Sequence, residues 1–272
     1  MKSVHPYLES PYPVVLAHQG HSQQAPSNTL PAFELALQCG ADILETDLHW
    51  TKDGVLVFCH DETVDRTSNG RGAIKDFTLA ELKRLDFGYQ FTTDAGQSYP
   101  FRGQGIEILT LQEALTAFPN VRFNIDVKPN RPLSLQQLVR QLYDFGAESR
   151  VLLASFHHHV LRTIRTMTRR IATSASIREC TCFFSRTWTG RNAFPALPYV
   201  ALQVPMDFYG FPVVTQKFVD TAHQAGLQVH VWTIDDGDIM SRLLSMGVDG
   251  IVTNRPDVGV AVRRRFLQER TA

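Results

Sequence analysis

The chain has 272 residues, 43% of them hydrophobic, enough for one large α/β domain or two small ones. Its 27 Lys and Arg balance 27 Asp and Glu, which excludes an overall basic field for nucleic acid. Four cysteines are too few and too irregular for a disulfide scaffold, residues 1–13 hold no apolar leader core, and no later run approaches spanning length; the expectation is a cytoplasmic protein without integral membrane association.

In chain order, 14–18 reads as a short apolar strand ending in His18. A polar loop over 19–28 leads to a helix that Asn28 or Thr29 can cap, with Leu30, Phe33 and Leu37 at helical spacing and an end near Cys39-Gly40. The stretch 43–50 has the apolar, β-branched and aromatic content of a buried strand, yet carries Glu45 and Asp47. Alternate strand residues share a face, so both carboxylates point the same way, with His49 further along. Two unpaired anions on a core face repel each other and cost on the order of several kcal/mol in desolvation. A hard divalent cation removes both problems. A salt-bridge network to Arg or Lys is the competing explanation. Asp53-Gly54 then supplies a tight turn, and the chain returns through Val55 to Phe58 and delivers His60.

From 61 to 105 the pattern changes to turn clusters, a capping box at Thr78–Glu81 opening a short helix, and an exposed loop over 94–105. This reads as an insertion beside the main fold, too short to carry its own core. Beyond it β and α signals alternate. Strands are expected at 122–127, 151–156, 170–177, 199–204, 228–234 and 250–253, and helices at 111–118, 133–145, 158–168, 216–225, 236–246 and 257–268. Residues 179–197 read as loop with some helix. Eight βα units predict a closed (β/α)8 TIM-type barrel with a small insertion after the second strand, one domain over 1–272. An open doubly wound sheet is the alternative, and the first strand lacks the Gly-rich phosphate loop its dinucleotide-binding form needs.

In a barrel, catalytic groups gather at the C-terminal strand ends. His18, Glu45, Asp47 and His60 fall there, and Asn124, Asp126 and Lys128 share one face of a further strand. Glu45, Asp47 and Asp126 make a site for magnesium or calcium, His18 and His60 are an acid and a base, and Lys128 can hold an anion. Singly, a strand-end histidine is commonly a surface residue, and Lys128 can simply neutralise Asp126. The convergence of such residues on one rim favours chemistry.

Over about 14–256 the sequence also resembles the glycerophosphodiester phosphodiesterase family. The family's His-Arg-Gly stands here as His18-Gln19-Gly20 and its Glu-Asn-Thr as Ser27-Asn28-Thr29. Glu45-Thr46-Asp47, Thr51-Lys52-Asp53-Gly54 and His60-Asp61 match its next signatures, followed by Arg66-Thr67, Asn69-Gly70, Gly72, Leu111 and Glu113. Asn124-Ile125-Asp126-Val127-Lys128 matches an acidic strand in which Glu is commoner than Asp. Ser155-Phe156, Val231-Trp232-Thr233 and Gly250-Ile251-Val252-Thr253-Asn254-Arg255-Pro256 complete the ordered set. The resemblance implies a barrel with an insertion, one divalent cation on Glu45, Asp47 and Asp126, proton transfer by His18 and His60, phosphate contact by Lys128 and a pocket wall at Trp232. It implies a small-molecule glycerophosphodiester as substrate, cleaved to glycerol 3-phosphate and an alcohol, by attack of either water or the substrate's own glycerol hydroxyl.

Gln19 and Ser27 replace the family's Arg and Glu. A neutral amide lacks the charge of a bidentate guanidinium clamp, so Gln19 is expected at the substrate with weakened phosphate hold while the chemistry survives. His21 and His49 touch or flank the site. His157, His158 and His159 read as a solvated helix start, since consecutive helical residues do not share a face. Arg263, Arg264 and Arg265 read as a solvated helix face. Three rivals stand beside the main reading. A sphingomyelinase-type phospholipase D would need an apolar lipid-docking stretch, which the sequence does not show. A catalytically weak phosphate-binding barrel is opposed by both histidines. A glycosidase is opposed by carboxylates two residues apart on one strand.

Overall fold

The computed structural model describes residues 5–128, 132–190, 194 and 196–270. Its strands are β1 (Val14–His18), β2 (Ile43–Trp50), β3 (Leu56–Phe58), β4 (Arg122–Val127), β5 (Val151–Ala154), β6 (Ala172–Thr173), β7 (Ala201–Pro205), β8 (Asp207–Phe208), β9 (Phe211–Pro212), β10 (Gln228–Trp232) and β11 (Gly250–Thr253). Its helices are α1 (Leu30–Gln38), α2 (Leu79–Leu82), α3 (Leu111–Ala117), α4 (Pro132–Asp144), α5 (His158–Met167), α6 (Ile177–Trp188), α7 (Gln216–Gln224), α8 (Gly237–Ser245) and α9 (Pro256–Glu269). Parallel strands run in the order β6-β5-β4-β2-β1-β11-β10-β7. A parallel bridge between Ser174 and Ala201 joins the two ends of that row into a barrel. The Ala175 amide donates to Ala201 O (2.9 Å) and the Val200 amide to Thr173 O (3.0 Å) across this seam.

All eight residues of β2 are buried, as both faces of a barrel strand are covered. Outward-facing Leu44, Phe123 and Ile125 pack against Phe33, Leu138 and Val160 in one apolar cluster. Phe183, Leu202, Phe218, Val231 and Met240 belong to a second, around the other half of the barrel. Leu16 and Ile43 share the strand faces of His18 and Glu45 and pack with Tyr7, Leu152 and Val252, closing the barrel interior beneath those polar residues. Among the described residues no helix is long and apolar enough to cross a membrane.

Three expectations change. The strand expected at 170–177 is only Ala172–Thr173 plus the bridge at Ser174, because Ser176 already opens α6. Of the 179–197 stretch, α6 takes residues up to Trp188 as regular helix, and 191–193 and 195 lie outside the described residues. Its start is a capping box: Ser176 Oγ accepts from the Glu179 amide (3.4 Å), and Glu179 Oε2 accepts from the Ser176 amide (2.9 Å). Cys, Thr and aromatic residues fill its middle, and their weak helix propensity masks the pattern. The insertion does have a small core, in which Val64, Ile74, Leu82, Phe87 and Ile108 pack on Val57 and Cys59 from the hairpin return.

Candidate active site

Strand register decides which polar side chains meet. His18 pairs with Glu45, and Glu45 with Asn124; one step on, Asp47 pairs with Asp126. Spacing by two keeps these five residues on one face, in two rows across β1, β2 and β4. Lys128, one residue past β4, places its Nζ 2.6 Å from Asp47 Oδ1 and 2.7 Å from Asp126 Oδ2. The return over Gly54, which takes a positive φ of 82°, brings His60 opposite His18. Their ring centroids are 6.0 Å apart and the planes perpendicular. All of these except the hairpin glycine line one cavity of about 640 Å³.

Burial pushes the Glu45 carboxyl well above its usual range, and Asp47 and Asp126 add to the rise. Burial also pushes Asp47 up to about 6, against the pull of the Lys128 ammonium. For Lys128 burial opposes the charge, but the two aspartates outweigh it and hold the ammonium protonated. One cation faces three carboxylates. After Lys128 takes its two oxygens, Glu45 Oε2, Asp47 Oδ2 and Asp126 Oδ1 remain buried without a hydrogen-bond partner. Orphaned carboxylate oxygens of this kind are the donors a hard divalent cation takes. In this cation-free arrangement, among the described residues, no group of three or more His, Cys, Asp or Glu side chains is drawn together around a common point. The Lys128 ammonium lies between Asp47 and Asp126. The expected phosphate contact becomes, in this state, an ion pair with both acids.

The two histidines are held by different partners. His18 Nδ1 lies 2.7 Å from Asn254 Oδ1. An amide oxygen only accepts, so Nδ1 carries the proton and Nε2 keeps its lone pair. Asn254 cannot turn over, because its Nδ2 donates to Asp235 Oδ2 (2.8 Å) and its backbone N–H to Asp235 Oδ1 (2.8 Å). Burial lowers the His18 pKa, and the Asn254 bond opposes this in part. His60 Nδ1 sits 2.7 Å from Asp61 Oδ1, and Arg66 grips the same carboxylate through Nε (2.6 Å) and Nη2 (3.2 Å). Sequence reasoning named Asn254 only as one letter of a motif and missed Asp235 altogether.

Gln19 is buried and lies outside the cavity lining; its Nε2 donates to His18 Nε2 at 3.1 Å. It is therefore placed against the imidazole rather than against a cavity occupant, and Ser27 is off the lining too. Trp232 does line the cavity, edge to face with Phe156 at 5.9 Å. His21 and His49 do not. His158 Nδ1 lies 3.0 Å from Ser176 Oγ, so the histidine run is partly engaged at the α6 cap. Arg263 is not simply solvated: it pairs with Asp42.

A profile of the glycerophosphoryl diester phosphodiesterase family matches residues 18–258. The chain is 32% identical to a glycerophosphodiester phosphodiesterase of Caldanaerobacter subterraneus subsp. tengcongensis, over 93% of this chain and 98% of that one. It is 33% identical to the probable glycerophosphodiester phosphodiesterase 2 of Mycobacterium tuberculosis, over 90% and 88%. Among solved structures it is similar to an Oleispira antarctica phosphodiesterase in complex with the product sn-glycerol-3-phosphate. That likeness has a TM-score of 0.72 and 27% identity, and covers 92% of this chain and 96% of that one.

Proposed function

The chain belongs to the glycerophosphoryl diester phosphodiesterase family, and from that premise we propose that it hydrolyses glycerophosphodiesters to glycerol 3-phosphate and an alcohol. The observation that carries this reading is the pair of facing imidazoles, 6.0 Å apart, over three buried acids and one lysine. Glu45, Asp47 and Asp126 would hold one divalent cation, calcium or magnesium, because all their donors are oxygen and three of those oxygens lack partners. Such an ion neutralises charge on phosphoryl oxygens. Lys128 adds a further positive charge at the same end of the cavity. His18 Nε2, free of a proton, takes one from the attacking hydroxyl, whether of water or of the substrate's glycerol. His60, oriented by Asp61, gives one to the departing oxygen. A cytoplasmic setting belongs to the same proposal, supported by four unpaired cysteines.

The test is a panel of glycerophosphodiesters differing in alcohol, with products identified. Glycerol 3-phosphate plus the free alcohol is expected from at least one member. Release of phosphate-free glycerol, or of a stable cyclic phosphate alone, would point to another reaction.

Asn254 gives a second expected result. At saturating cation, the acidic limb of kcat/KM should lie below the ordinary histidine value of 6.5, since a lowered His18 pKa keeps the base unprotonated to lower pH. Asn254→Leu removes the acceptor that raises His18, so the limb should move lower still. With the tautomer no longer fixed, kcat should fall roughly 10- to 100-fold, as for other lost orienting partners. A pH–rate profile reads both effects. An unmoved limb with native kcat would show that Asn254 does not position His18.

A further inference from the structure

The cavity is two-sided. Every charged or histidine side chain on its lining belongs to the end built by β1, β2, β4 and the residues just past β3 and β4. The opposite wall, from α6, β7, the β8–β9 hairpin and α7, is largely apolar and among its described residues carries no charge. Two uncharged amides join the sides, Asn124 on β4 and Gln203 on β7: Gln203 Nε2 donates to Asn124 Oδ1 across the barrel interior at 3.1 Å. A run of buried polar groups fixes which way both amides face. It starts at the backbone carbonyl of Leu8, a residue of the apolar cluster that closes the barrel interior. That oxygen only accepts, so Gln228 points its Nε2 at it (3.2 Å) and turns its Oε1 to His230 Nε2 (3.1 Å). His230 Nε2 therefore carries the proton, which leaves Nδ1 to accept from Gln203 Nε2 (3.2 Å). Complete burial lowers the His230 pKa to about 4, so the ring stays neutral at ordinary pH. Gly250 makes room for it: a Cβ there would meet His230 Cδ2 at 2.7 Å and Leu16 Cδ1 at 2.9 Å. His230 itself lies off the cavity lining and touches no reactant.

With both hydrogens of Gln203 Nε2 engaged, Gln203 Oε1 is left as an acceptor and Asn124 Nδ2 as a donor. Neither has a hydrogen-bond partner among the described residues. We propose that Asn124 and Gln203 read a hydroxyl of the substrate's glycerol unit, and that His230 is the positioning residue that holds the two amides to that task. This rests on the phosphodiesterase reading above and adds the residues that set specificity. A hydroxyl is donor and acceptor at once, so it satisfies both free amide atoms. A phosphoryl oxygen only accepts and would leave Gln203 Oε1 unmet, and a quaternary ammonium would serve neither by hydrogen bonding. Asn124 pairs with Glu45, one step deeper than the Asp47 and Asp126 pair that Lys128 bridges, so the hydroxyl is read at the cavity floor. A site whose polar groups are fixed in advance rejects an analogue lacking the hydroxyl, because those groups are then left unpaired.

The test uses the full chain with its divalent cation and keeps choline as the departing alcohol. It compares glycerophosphocholine with the two analogues in which propane-1,3-diol or propane-1,2-diol replaces glycerol. Wild type should hydrolyse one of the two with kcat/KM lower by roughly 10²-fold or more. In Gln203→Met that penalty should shrink by roughly tenfold, on the scale of one lost hydrogen bond. A hydroxyl used as nucleophile is needed equally by both proteins, so only a contact makes the penalty shrink. His230→Leu should shrink it too, whereas His230→Asn, whose Oδ1 replaces Nδ1 as acceptor, should keep most of it. A role in packing alone would favour leucine over asparagine, and equal penalties in the two would overturn the positioning role. A crystal structure of wild type with glycerol 3-phosphate, which needs no variant to fold, should place one hydroxyl within hydrogen-bond distance of Asn124 Nδ2 and Gln203 Oε1. Unchanged penalties in an active Gln203→Met enzyme, or product hydroxyls bonded elsewhere, would overturn this proposal alone. Hydrolysis of no glycerophosphodiester would overturn both this proposal and the phosphodiesterase reading.

Discussion

Alanine at His18 should lower turnover by roughly 10²-fold or more, the usual scale for losing a general base or acid, and His60→Ala should do the same. Both side chains are partly solvent-exposed, 20% for His18 and 44% for His60, so little packing is lost and the melting temperature should barely change. The two variants should part company on a substrate with a good leaving group. Such a substrate needs no proton on the departing oxygen, so it should partly rescue His60→Ala and leave His18→Ala slow. Rescue of the wrong variant would exchange the roles assigned from Asn254 and Asp61. Near-native turnover on the natural substrate in either would remove that residue from the proton transfer.

Chelation should abolish activity, with calcium or magnesium restoring it, and Glu45→Gln should weaken the cation strongly. In the cation-free protein burial holds the Glu45 carboxyl well above its usual range and Asp47 at about 6, so binding must expel protons. The sign follows: apparent cation affinity falls as pH drops through about 6, by about tenfold per pH unit for each proton expelled. Calorimetry in two buffers of different ionisation heat counts those protons. The cation-free Glu45→Gln protein should be no less stable than wild type, because the substitution removes one of three mutually repelling buried acids. Full turnover in a thoroughly chelated enzyme would defeat the metal assignment.

Much of this site was legible because its logic is local. Residues spaced by two on a strand share a face, so Glu45 with Asp47 and Asn124 with Asp126 could be paired from sequence, and the Asp53-Gly54 turn announced the arrival of His60. Lys128 was read both as an anion holder and as a partner of Asp126; the structure gives it two aspartates, which no spacing rule specifies. The Asn254–His18 bond joins residues 236 positions apart and leaves no local trace. The β8–β9 hairpin has strands of two residues, too short for any periodicity. The apolar wall is illegible for the same reason as Asn254, since α6, β7, the hairpin and α7 acquire a common surface only when the barrel closes.

The division of the cavity between strand rows and a peripheral wall has an evolutionary reading. A single inserted or deleted residue within β2 or β4 would turn Glu45, Asp47 or Asp126 from the barrel interior to its outside, so those segments tolerate substitution far better than changes in length. The hairpin at 207–212 is under no such constraint: it is exposed, pairs only with itself and reaches the cavity through two phenylalanines. Lineages could lengthen, shorten or exchange it while the reacting groups stay in register. The barrel thus leaves one wall of its cavity free to drift on a segment whose loss would not disturb the chemistry beside it.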